Sequence, residues 1–147
     1  MDSSPTPTSF PMTKEAQNRD GTSHEARFAA EALARGYDVL NPVGDYLPYD
    51  LVTVSRTGVR KNIQVKGTAT KIARSYYYRV TAATGNASKV PLDPELVDVL
   101  AAYVVPHEAW YLVPVSRLPG VTAHFSPQVA RSRGKYEIWR DAWNVLE

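Results

Sequence analysis

Apolar residues along this chain repeat with two different periods. From Ser23 to Arg35 they recur at helical spacing: Phe28, Ala29, Ala32 and Leu33 form one stripe, and Gly36 follows as a stop. Thr22 and Glu25 have the Thr-x-x-Glu spacing of a capping box, which places the expected start of this helix, with a turn or further helix near Lys14–Arg19. Glu25 lies on the apolar stripe itself, three and four residues before Phe28 and Ala29, an unexpected place for a simple cap.

Beyond Gly36 the pattern changes to alternation. Tyr37–Asn41 reads as a short strand halted by Pro42. Asp50–Ser55 and Val59–Lys66 read as a hairpin turning at Thr57-Gly58, and Tyr76–Ala82 as another strand, with Tyr77 expected in the core. Val97–Val105 is nearly all apolar and reads as a buried central strand, followed by a strand over Trp110–Val115. Pro119 to Gly134 reads as loop, and the run Lys135–Glu147 as a helix with Tyr136, Trp139, Trp143 and Leu146 on one face. Strands between an early and a late helix predict an α/β or α+β domain, with helices packed on a mixed sheet. A Ser-, Pro- and Thr-rich tail over 1–12 is expected to be disordered, leaving 13–147 as a single domain.

Composition narrows the chemistry. With 44% hydrophobic and 22% charged residues the chain is of globular type. It has no cysteine, which excludes disulfides and thiolate metal sites, and its three histidines lack zinc-ligand spacing. His24 and His107 stand beside predicted turns and are expected to be solvated, and Asp45 reads as a turn residue. The N-terminus lacks the apolar core of a signal peptide, and no run of eighteen apolar residues suggests a membrane span, so a cytoplasmic protein is expected. Net charge is only +2, but no acid occurs between Asp50 and Asp93. That window holds Arg56, Arg60, Lys61, Lys66, Lys71, Arg74, Arg79 and Lys89. Such asymmetry points to an anionic partner, most commonly a nucleic acid.

One constellation stands out within the basic window. Strand alternation sends Ile63 and Val65 to the core and puts Gln64 and Lys66 together on the opposite face. Asp50 and Lys66 are each about seven residues from the hairpin turn, so a carboxylate, an amide and an ammonium converge at one end of the sheet. Taken singly, each has an ordinary reading: Asp50 as a strand-entry residue satisfying local backbone, Gln64 as a polar residue on an exposed strand face, Lys66 as protection of a sheet edge.

Taken together, Glu25, Pro48-Tyr49-Asp50 and Gln64-x-Lys66 resemble the PD-(D/E)xK nuclease superfamily. Within it they resemble the branch with Gln in place of the middle acid, typified by group I intron-encoded homing endonucleases. GYDVLNPVGDYLPYDLV, IQVKG, and VDVLAAYVV followed by WYLVPV carry the likeness, which covers roughly Thr22 to Val115. The resemblance implies a restriction-endonuclease-like core, a mixed central sheet flanked by helices. It further implies hydrolysis of double-stranded DNA with Mg²⁺, for which Mn²⁺ can substitute. Glu25, Asp50, Gln64 and Lys66 would be catalytic; Asp50, Glu25, Gln64 and the Val65 carbonyl would bind metal; Lys66 would orient the attacking water or stabilise phosphoryl charge. Such oxygen donors suit a hard cation. Arg60, Lys61, Lys71, Arg74 and Arg79 are the expected nucleic-acid contacts. The loops around Thr68–Ser75 and Gly85–Lys89 and the cluster Arg131–Lys135 are candidates for target recognition. One site per domain cuts one strand, so a homodimer or homotetramer is implied. Gln64 departs from the wider superfamily by removing a negative charge, which leaves open a DNA-binding accessory that does not cut, or a junction or repair nuclease.

Overall fold

The computed structural model describes residues 13–84, 88–128 and 134–147; the tail over 1–12, residues 85–87 and residues 129–133 lie outside the described residues. One long helix, α1 (Lys14–Ala34), opens the fold. Its N-cap is Thr13, whose Oγ1 accepts the Ala16 N–H at 3.1 Å. The Thr22–Glu25 box therefore caps nothing: Thr22 is inside the helix, and its hydroxyl donates to the Asn18 carbonyl at 2.9 Å. Helix start signals at Thr13 and Thr22 compete, and the continuous helix wins because no residue between them breaks it; Gly21 weakens a helix without ending it. The buried stripe is narrower than expected. Phe28 and Ala32 are fully buried, while Leu33 is 56% exposed.

The strands are β1 (Asp38–Leu40), β2 (Leu51–Val54), β3 (Arg60–Thr68), β4 (Tyr78–Thr81), β5 (Ala83–Thr84), β6 (Val90–Pro91), β7 (Val99–Val104), β8 (Ala109–Pro114) and β9 (Thr122–Phe125). Five of them form a mixed sheet in the order β1-β2-β3-β7-β8, parallel only between β3 and β7. The hairpin β2–β3 pairs Leu51 with Ile63 and Val54 with Arg60, and β7, buried at every position, is the central strand the apolar run predicts. Alternation divides β7 between two cores. Val99, Ala101 and Tyr103 face the layer of α1, with Phe28, Ile63 and Val65; Leu100, Ala102 and Val104 face the other layer, with Tyr78, Val80, Ala123 and Phe125.

That second layer is where the architecture departs from helices on both faces. Among the described residues it is built from an antiparallel ribbon, β4 with β9, whose inner residues cover the sheet. β9 lies in the stretch expected to be loop. Tyr77, expected in the core, is 47% exposed, because the buried phase of β4 is Tyr78 and Val80. The C-terminal run is likewise no α-helix but two 3-10 turns, Glu137–Trp139 and Trp143–Leu146. Between them Arg140 is extended and bridges to Tyr111, and the Asp141 N–H donates to the Trp110 carbonyl at 2.9 Å. The segment thus satisfies the backbone edge of β8, which an uninterrupted helix could not do. Tyr136 joins the ribbon-side core, whereas Trp143 and Leu146 join the helix-side core. The four apolar residues spaced like one helical face in fact straddle the sheet edge.

The helix-side core is aromatic. Phe28 stacks on Trp143 and meets Trp110 edge-on, both at 5.5 Å between ring centroids, and Tyr103 lies 4.6 Å from Trp110. No described helix is long and apolar enough to cross a membrane. This packing predicts that Phe28→Ala destabilises the fold by about 3–5 kcal/mol, whereas Leu33→Ala changes stability by less than about 0.5 kcal/mol. Denaturant unfolding of the two variants tests that contrast.

Candidate active site

The antiparallel ladder between β2 and β3 stops at Leu51, after the non-strand segment Pro42–Pro48. Asp50, one residue earlier, donates its own N–H to the Ile63 carbonyl at 2.8 Å, and its Oδ2 accepts the Val65 N–H at 2.7 Å. The carboxylate takes the place of the next ladder partner and is fixed by doing so. The ordinary reading of Asp50, as a residue satisfying local backbone, is part of what positions it. N–H and C=O of one strand residue point the same way, so the Val65 carbonyl is directed to the side of the sheet where Asp50 sits.

α1 crosses this end of the sheet and brings Glu25 onto Asp50, the two carboxyl groups lying within hydrogen-bonding reach. Glu25, Asp50, Val65 and Lys66 line one open cleft of about 910 Å³, with α1 on one side, Gly67–Thr70 as floor and Arg79–Thr81 of the ribbon opposite. Burial first, then the Asp50 charge and the hydrogen bond to Asp50, together push the Glu25 carboxyl up to about 7 against the opposing Lys66. Burial also raises Asp50, opposed by the Val65 N–H, by Lys66 and by the hydrogen bond from Glu25. Two acids are thus both raised from their ordinary range, with Lys66 beside them. The site has an excess of oxygen donors and a deficit of positive charge.

Gln64 stands differently. It is only 6% exposed rather than on a solvated strand face, and it does not line the cleft. Its Nε2 donates to the Pro48 carbonyl at 3.4 Å, while Oε1 is buried without a hydrogen-bond partner. Among the described residues no three His, Cys, Asp or Glu side chains stand together as a ready cation cage. Two carboxylates and a backbone carbonyl nevertheless fit Mg²⁺, which takes few protein oxygens and keeps much of its water. A divalent cation here would offset the Asp50 charge, which adds to burial in raising Glu25, so the donor set and the electrostatics agree.

The expected phosphate contacts do not all gather at this site. Arg79 lines the cleft, and exposed Lys71 and Arg74 lie on the segment between β3 and β4, Lys71 with its Nζ 5.9 Å from the Tyr76 ring centre. Arg60 and Lys61 sit at the other end of β3, about 16–20 Å from Lys66 at strand rise. Of the candidate recognition segments, residues 85–87 and 131–133 lie outside the described residues.

Two residues of the site escape sequence reasoning. His24, expected to be solvated, lines the cleft and lies across Gly67; its ring is 6.0 Å from that of Tyr103, and its Nδ1 is buried without a partner. A Cβ on Gly67 would overlap His24 Nε2 and Cδ2. The missing side chain of Gly67 lets α1 settle on β3 at the turn that carries Glu25. A glycine one residue after Gln64-Val65-Lys66, inside a strand, is the signal that could have revealed the close approach.

Two consequences are measurable. Because the Glu25 carboxyl is raised in the fold, the unfolded chain releases this proton first, and its contribution to stability falls as pH rises from about 4.5 to about 7. In chelator, the melting temperature of Glu25→Gln should decline less across that window than that of the wild type. Gly67→Ala should destabilise the protein by about 1–3 kcal/mol through overpacking, and adding His24→Ala should return most of that loss; a thermal double-mutant cycle reads it.

Comparison with known proteins agrees with this geometry. No relative among curated proteins matches the chain. Among solved structures, the bacterial homing endonuclease I-Ssp6803I is similar at 27% identity with a TM-score of 0.75, over 89% of this chain and 93% of that one. The family model described as PD-(D/E)XK endonuclease matches residues 15–146. Nearly the whole chain, with the cleft and both layers around it, therefore belongs to the PD-(D/E)XK endonuclease family.

Proposed function

We propose that this nuclease hydrolyses phosphodiester bonds of double-stranded DNA with Mg²⁺, and that Glu25, Asp50, Gln64 and Lys66 carry the reaction. The observation behind this reading is that Glu25, Asp50, Val65 and Lys66, from a helix and two strands, meet around one cleft, with both carboxyls raised by burial and Glu25 also by the Asp50 charge. Asp50, Glu25 and the Val65 carbonyl would hold the cation, with Gln64 Oε1 as a further oxygen. Bound there, the cation supplies stabilisation of charge developing on the phosphate.

The side chains account for the rest. Asp50 is anchored through Oδ2 on the Val65 N–H, beside Glu25 in the cleft. Glu25, beside the cation, would stand as a carboxylate and orient a water in the cleft. Lys66 donates to the phosphate or to the attacking water and offsets the added negative charge. Gln64, held to Pro48, fixes the segment that delivers Asp50. A homodimer or homotetramer would place two such sites on opposite strands. Similarity to a protein described as a bacterial homing endonuclease supports internal cleavage of a nucleic acid.

Incubated with supercoiled plasmid and Mg²⁺, the wild type should nick or linearise it. Asp50→Ala and Lys66→Ala should each be slower by about 100-fold or more. Equal cutting by both variants would remove the site assignment, and salt-sensitive DNA binding that ignores Mg²⁺ and Asp50→Asn would indicate a non-cutting accessory.

A further inference from the structure

The ribbon of β4 and β9 covers one face of the sheet with its inner residues, and its outer face remains to be explained. Tyr78, Val80, Ala123 and Phe125 are buried, whereas Arg79, Thr81 and His124 are exposed and Thr122 is half-buried. The register sets Arg79 opposite His124 and Thr81 opposite Thr122. The Tyr77 ring extends this face, 6.2 Å from the ring of His124. Among the described residues no hydrogen bond or ion pair engages the Arg79 guanidinium, the Thr81 or Thr122 hydroxyls or the His124 ring nitrogens. No carboxylate occurs from Lys71 to Thr84 or from Gly120 to Gln128.

This face is continuous with the active site, for Arg79 and Thr81 line the cleft that holds Asp50 and Lys66. α1, on the opposite side, presents Asp20 there, which disfavours a second approach of phosphates. Two strands about 4.8 Å apart with their outward side chains make a body that the major groove, about 12 Å wide, admits. The chemistry of the face is also informative. Phosphates are held by charge, and Lys71 and Arg74 on the segment leading into β4 supply it. The ribbon instead presents one planar bidentate donor, two hydroxyls and an imidazole, a donor–acceptor pattern suited to base edges.

Resting on the reading of this protein as a DNA nuclease, we infer that the outer face of the β4–β9 ribbon enters the major groove beside the scissile phosphate and reads sequence, Arg79 from a guanine and His124 from a neighbouring base. The ribbon, rather than α1, is then the specificity element.

The test is selection of bound duplexes from a randomised pool, with the full chain in Ca²⁺, comparing wild type, Arg79→Lys, Arg79→Ala and His124→Ala, each checked for an unchanged melting temperature. The wild type should enrich a motif containing a guanine. Arg79→Ala and Arg79→Lys should both lose preference at that position by about 10- to 100-fold, because Lys keeps the charge but not the bidentate fork. His124→Ala should relax a neighbouring position and leave the others. The inference is overturned if the wild type enriches no motif, if Arg79→Lys keeps the full profile as a phosphate contact would, or if the His124 and Arg79 variants match the wild type at every position. Plasmid cleavage by the wild type decides the nuclease reading separately: a chain that selects a motif through Arg79 without cutting retains the ribbon's role, and one that cuts with its motif unchanged by these substitutions loses it.

Discussion

The hydrogen bond from the Val65 N–H to Asp50 Oδ2, at 2.7 Å, holds the site together. It stands where the β2–β3 ladder ends and where Val65 would otherwise face an absent strand. Leaving a partly buried amide unpaired costs about 1–3 kcal/mol, and a charged acceptor strengthens the bond that prevents it. The same bond decides where the carboxylate points. The Pro48–Asp50 segment is gripped a second time through the Gln64 amide on the Pro48 carbonyl, so the acid arrives on a backbone held at two points rather than on a free loop.

Crowding two carboxyl groups works against stability, and the fold resists it by anchoring the helix that carries one of them. α1 is held by Phe28 between Trp110 and Trp143, by His24 on Gly67, and by Arg27 above the Tyr103 ring at 5.0 Å. Tyr37, just past the helix, donates its hydroxyl to Glu147 at 2.7 Å. The end of the chain therefore underlies the element that bears Glu25, although it contributes no residue to the cleft. Electrostatic strain at the site and aromatic packing behind it are two halves of one arrangement.

Local patterns made much of this legible. The hairpin, the buried β7 run and the phase of Ile63 and Val65 follow from period-two alternation, and the meeting of Asp50 with Lys66 from turn length. The errors came where a tertiary partner overrides a local period. The C-terminal aromatics have helical spacing, but Arg140 and Asp141 are drawn straight by the free edge of β8. Tyr77 and Tyr78 differ only in which phase the sheet beneath them demands. Gln64 reads as surface from alternation alone, because nothing local announces that β4, beginning at Tyr78, starts a second layer over that face. His24 was misplaced for the same reason: the space it fills is a side chain that Gly67 lacks.

The two borders of the main sheet are unequal. β8 is closed by the chain's own C-terminal segment, whereas β1, three residues long and carrying an exposed Asp38, is paired only with β2. Among the described residues, strand addition through β1 between two copies would be two-fold and would occupy that border in both, so growth of the main sheet by that route is self-limiting.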